Sequence, residues 1–109
     1  MPELAQQHCK PCEGGVAPLA PKEAEALLKN VPGWQLKGTE INRTYQFKNY
    51  YEVMAFVNAT AWVSHRENHH PDILVGYNNC QVTYTTHAIK GLSDNDFICA
   101  AKLDALFKL

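Results

Sequence analysis

The feature that most constrains this chain is the segment from about Tyr51 to Asn68 and the proline that stops it. Val53, Phe56, Val57, Thr60 and Val63 recur at the i, i+3, i+4, i+7 spacing of one buried helix face. Pro71 forbids the helix from continuing. Beyond it the period changes to that of strands, Ile73 to Tyr77 and Cys80 to Thr86. Asn78-Asn79 between them suits a tight turn, because Asn tolerates positive φ. A helix followed by an antiparallel hairpin has two apolar faces to bury, so the rest of the chain must cover them.

The same arrangement precedes it. Pro21 to Asn30 predicts a helix, with Pro21 in its first turn, Glu23 and Glu25 near its positive end, and Leu27 and Leu28 on its buried side. Val31-Pro32-Gly33 ends it. Trp34 to Lys37 and Ile41 to Phe47 read as strands joined at Gly38-Thr39. Ile41, Arg43, Tyr45 and Phe47 share one face of the second. A last helix runs from about Asp94 to the C-terminus. The order αββαββα implies an α+β two-layer sandwich, a four-stranded antiparallel sheet with helices on one face. Residues 1–19, rich in Pro and Gly, read as an N-terminal tail and 20–109 as the domain.

At 109 residues there is room for one core only. Ten Lys+Arg against eleven Asp+Glu argue against a basic nucleic-acid surface or a membrane patch, though not against a small local one. No apolar run reaches the ~20 residues of a membrane span, and no secretory signal is visible, so a cytoplasmic location is expected.

The chemistry concentrates in histidine. His65, His69 and His70 fall where the middle helix gives way to the third strand, and His87 falls at the end of the fourth. A hairpin turning at Asn78-Asn79 places residue 72 near 85 and residue 70 near 87, so His69, His70 and His87 should converge. Imidazoles exchange protons near neutral pH, which suits general acid–base work on a small substrate. Simpler explanations stand beside this one. A His near a helix C-terminus is favoured by the dipole, and three convergent His could bind zinc. Asp96, three residues after Ser93, completes a capping-box pattern and could also orient a site residue. In the tail, His8, Cys9 and Cys12 could hold a metal, or Cys9 and Cys12 a disulfide. A reduced compartment argues for free thiols. The last helix carries two apolar stripes, Ile98/Ala101/Ala105 and Cys99/Leu103/Phe107. The second suggests subunit contact unless the terminus folds back over it.

His65-x3-His69-His70-Pro71, with Tyr77, His87 and Asp96 at their spacings, resembles the signature of the pterin-4a-carbinolamine dehydratase family. The strings Glu67-Asn68-His69-His70-Pro71 and Thr86-His87-x3-Gly91-Leu92-Ser93-x2-Asp96 carry the likeness, together with Pro32-Gly33-Trp34. The resemblance implies the fold above, self-association as dimer or tetramer, and dehydration of 4a-hydroxytetrahydropterin to quinonoid dihydropterin. That reaction recycles the cofactor of aromatic amino-acid hydroxylases such as phenylalanine hydroxylase. It implies His69, His70 and His87 as catalytic residues, with Asp96 and His65 in support. Position 65 is often acidic in the family. Substrate contacts fall to His69, His70, Pro71, Thr86 and His87, and no metal or other cofactor is implied. Alternatives are a non-enzymatic dimerisation cofactor of a transcription factor and a diverged role in molybdopterin metabolism.

Overall fold

A computed structural model describes residues 3–11 and 17–108. Helix α1 spans Pro21–Leu28, strand β1 Gln35–Lys37 and strand β2 Glu40–Gln46. Helix α2 spans Tyr50–Glu67, strand β3 Asp72–Val75, strand β4 Asn79–Tyr84 and helix α3 Asp94–Phe107. Short 3-10 turns occupy Leu4–Gln6 and His87–Ile89. The four strands form one antiparallel sheet in the order β1-β2-β4-β3. The αββαββα order and α+β class are those expected from the sequence.

Each element follows from its residues. Asn49 caps α2 by accepting the Glu52 N–H at 3.0 Å. Val53, Phe56 and Thr60 form its buried face. On β4 the alternation is complete: Cys80, Val82 and Tyr84 are buried, and the residues between them are not. Ile41 and Tyr45 from β2 and Phe97, Ala100 and Leu103 from α3 close the core against them. At its C-terminus, α2 ends on Asn68 in the left-handed region (φ 52), where Asn is among the residues that adopt it most readily. The His69 N–H then donates back to the Ser64 carbonyl at 3.2 Å. That tight exit sets where His69 points.

Two expectations are corrected. The β3–β4 hairpin turns about Tyr77-Asn78, not Asn78-Asn79. Asp72 therefore pairs with Thr83, and Val75 with Cys80. Asn79 instead joins β4, pairing with Gln46, while the Gly76 N–H donates to its carbonyl at 2.8 Å. A slip of two residues leaves every side chain on its own face, so apolar alternation is blind to it. His87 in consequence lies beyond the strand, at the start of a 3-10 turn.

The second correction concerns α3. Its Cys99/Leu103 stripe is not an exposed contact face: both residues are fully buried. Phe107 folds back onto Tyr45, Phe47 and Phe56, with ring centroids 5.0, 5.4 and 6.1 Å apart. Ile98, on the other stripe, is also buried. Leu4 and Cys9 of the tail pack against the core, and Lys102 of α3 donates to the Ala5 carbonyl at 2.7 Å. The described part of the tail is thus laid across α3 and the end of α2. Its return to α1 runs past Gly91, where a Cβ would come within 2.6 Å of Pro18.

Candidate active site

The end of α2, the Thr85–Ala88 segment and the tail enclose a cleft of about 450 Å³. His69, His70 and His87 all line it. The convergence expected from hairpin geometry is present, although it is reached by the tight exit from α2 and the turn after β4 rather than by strand pairing.

The most firmly held of the three is His69. Its Nε2 lies 2.7 Å from Asp96 Oδ1, and its ring stacks on Tyr84 with centroids 5.6 Å apart and planes 10° apart. Asp96 is fully buried. Its other oxygen accepts from the Ser93 N–H at 3.0 Å and the Thr86 hydroxyl at 2.8 Å. Thr86 Oγ1 in turn accepts from the Ser93 hydroxyl at 2.8 Å. Asp96 therefore closes the first turn of α3 and holds His69 at once. A carboxylate with these donors accepts only, so His69 donates through Nε2, and in its neutral form the lone pair is the one on Nδ1.

His87 and His70 are exposed. His70 has one long contact, Nδ1 to the Pro71 carbonyl at 3.5 Å, and among the described residues the His87 side chain has no hydrogen-bond partner. Pro71 itself does not line the cleft. Thr86 does, but its backbone is already used: its N–H donates to the Gly91 carbonyl at 3.0 Å, and its carbonyl accepts from Ile89 at 3.2 Å. Its hydroxyl serves Asp96, so Thr86 supports the site rather than offering those groups to a ligand. His65 is exposed on α2, 5.9 Å from the Trp62 ring, and is not part of the cleft wall. On a helix, His65 and His69 are not carried on one face once Asn68 breaks the α2 geometry.

Sequence reasoning missed the tail. Cys9, Lys10 and Pro11 form part of the cleft wall. The Cys9 N–H donates to Glu67 Oε1 at 2.8 Å. The Asn95 side chain brackets Lys10, accepting its N–H at 3.0 Å and donating to its carbonyl at 2.6 Å. The candidate metal ligands of the tail face apart. His8 Nδ1 is 3.3 Å from Glu67 Oε2, Cys9 Sγ is 3.5 Å from Cys99 Sγ, and Cys12 lies outside the described residues. Cys9, Cys80 and Cys99 are free thiols. The bond to Cys9, together with burial, pushes the Cys99 thiol far above the ordinary range.

An imidazole-lined cleft, backed by a buried carboxylate and set at one end of an antiparallel sheet, holds the kinds of group that proton transfer on a small molecule requires. The chain belongs to the pterin 4 alpha carbinolamine dehydratase family, whose model matches residues 17–106. A Nitrosomonas eutropha relative named "Putative pterin-4-alpha-carbinolamine dehydratase" is 68% identical over 105 residues, covering 95% of this chain and 93% of the relative. A Nitrosomonas europaea protein of the same name is 66% identical over 107 residues, covering 97% and 95%. Among solved structures, a transcriptional coactivator/pterin dehydratase from Brucella melitensis superposes with a TM-score of 0.79 at 28% identity, over 82% of this chain and 97% of that one. A pterin dehydratase-like protein described as a RuBisCO assembly factor in the alpha-carboxysome gives 0.57 at 25% identity, over 68% and 86%. No helix among the described residues is long and apolar enough to cross a membrane.

Proposed function

We propose that this protein dehydrates a 4a-hydroxytetrahydropterin to the quinonoid dihydropterin and water. In doing so it returns the pterin to a cytoplasmic aromatic amino-acid hydroxylase such as phenylalanine hydroxylase. The observation that carries the reading is the meeting of three imidazoles in one cleft, with His69 held by the buried Asp96.

The reaction breaks the C4a–O bond, forms the C4a=N5 double bond and moves two protons. One goes to the departing oxygen, which leaves as water, and one is lost from N5. His69, its Nε2–H committed to Asp96, takes the N5 proton on Nδ1, as an oriented imidazole does in an Asp-His pair. His87 delivers a proton to the hydroxyl. His70 holds the pterin and faces the charge that develops as the C–O bond breaks. The residues supply both proton transfers themselves. The test is a dehydration assay on a freshly generated carbinolamine. Acceleration by micromolar wild-type protein is expected, and none in the His69→Ala, His87→Ala double variant. A wild-type rate equal to the spontaneous one would sink the reading.

A second reading, a binding module that acts by self-association or by docking, is favoured by a different observation. Strand β3 is an edge of the sheet, and Leu74 and Tyr77 beside it are 71% and 70% exposed. An apolar edge of this kind pairs readily with another strand. Dimer or tetramer formation through such a surface is compatible with catalysis. Light scattering on a Leu74→Lys variant, with activity measured alongside, separates the two roles.

A further inference from the structure

The cleft carries positive charge for which the proton-transfer reading has no use. Arg66, next to last in α2, and Lys10, on the tail, both line it. Among the described residues, neither side chain makes an ion pair or a hydrogen bond. Glu67, the acidic residue in the same wall, is committed to the Cys9 N–H, to His8 and to Lys102. The cleft is therefore locally cationic in a chain whose formal charge is -1.

The position of Lys10 is also built into the fold. The buried Asn95 side chain grips both the N–H and the carbonyl of Lys10, at 3.0 and 2.6 Å, and Glu67 holds the preceding N–H. Three hydrogen bonds thus fix the backbone from which the ammonium extends. The cleft volume of about 450 Å³ lies within the range of sites that take a ligand bigger than a fused two-ring system.

We propose that Lys10 and Arg66 form a cationic end of the cleft that selects pterins whose side chain carries an anionic group, a phosphate ester or a carboxylate. This rests on the cleft being a pterin site. Charge-assisted hydrogen bonds from an ammonium and a guanidinium are the ordinary means of holding such groups. Because both side chains are solvent-exposed, the gain is modest and falls with salt.

The test is equilibrium binding, read by pterin fluorescence, of 6-hydroxymethylpterin, its phosphate ester and 6-carboxypterin. It compares the wild-type full chain with a Lys10→Gln, Arg66→Gln variant. At low salt the wild type should hold the two anionic probes about five- to tenfold more tightly than the neutral one. That preference should vanish in the variant and shrink at about 0.5 M salt. A stronger effect for one anionic probe assigns the group within the proposal. Equal affinities for all three in the wild type, or a preference that survives in the variant, would overturn it. Carbinolamine turnover by the same wild-type preparation keeps the two readings apart. Preference without turnover removes the dehydratase reading, and turnover without preference removes only this one. Failure to bind any of the three overturns this proposal, and absence of turnover beside it removes both.

Discussion

His69 Nε2 donates to Asp96 Oδ1 across 2.7 Å, and the carboxylate that receives it is fully buried at the first turn of α3. The pair joins two tasks usually kept apart. Asp96 accepts the Ser93 N–H as its part of a helix-capping box, while the Ser93 hydroxyl reaches Thr86 at 2.8 Å. The Thr86 hydroxyl in turn donates a hydrogen bond to Asp96.

Asp96→Asn separates those tasks. The amide oxygen still accepts from Ser93 and Thr86, but an N–H₂ now faces His69 and forces its proton onto Nδ1. Turnover is expected to fall by about 10²–10⁴-fold, as when an imidazole is trapped in the wrong tautomer. The melting temperature should fall only slightly. Steady-state rates beside a thermal melt check this, and an unchanged kcat would remove Asp96 from the mechanism.

Two of the cleft histidines, His69 and His87, should differ sharply from His65. His69→Ala and His87→Ala are each expected to lose about 10²–10⁴-fold in turnover. His65→Ala, on the outer surface of α2 and away from the cleft, should keep near wild-type activity. A loss in His65→Ala as large as that in His87→Ala would mean that the cleft as drawn is not the working site.

These residues also mark how far the sequence can be read. The helices and strands were legible because their apolar residues repeat at 3.6 or 2, and tertiary packing followed the same faces. The convergence of His69, His70 and His87 was legible because any short hairpin sets the start of β3 beside the end of β4, although the exit from α2 and the turn after β4 make the final approach. The hairpin register was not, since a shift of two keeps Val82 and Tyr84 inside. Nor was the tail. Lys10 is held by one side-chain amide from Asn95 and Cys9 by one carboxylate from Glu67. Such irregular contacts have no period. The same segment helps to cover α3, which is why its second stripe looked unpartnered in the sequence.

Asp104 gathers a second cluster, remote from chemistry. Its Oδ1 accepts from the Tyr45 hydroxyl at 2.6 Å, Arg43 at 2.8 Å and the Trp34 indole at 3.0 Å. Burial, and then that bond to Asp104, hold the Tyr45 hydroxyl far above the ordinary tyrosine range. Asp104→Ala strands three donors at once. A loss of about 2–4 kcal/mol is expected in urea unfolding, with kcat of the folded fraction retained. A change in kcat as large as the change in stability would show that this cluster reaches the cleft.

The tail contact should respond to acid through Glu67. Burial works to raise this carboxyl, but the Cys9 N–H, then His8 and Lys102, more than offset it and hold it below the ordinary glutamate range. A carboxyl depressed in the folded state contributes stability that is complete above its unfolded value, near pH ~4.3. The contribution is lost as pH falls through the lower folded value. The melting-temperature gap between wild type and Glu67→Gln should therefore be level above about pH 5. It should narrow below about pH 4, where the wild-type carboxyl takes up its proton and loses its advantage over the amide. Glu67→Gln should also speed amide exchange at Cys9 at neutral pH, because a neutral amide oxygen accepts that N–H less strongly than a carboxylate. A gap that stays constant from pH 7 to pH 3 would show that the tail is held by packing of Leu4 and Cys9 alone, and that Glu67 contributes no linked proton.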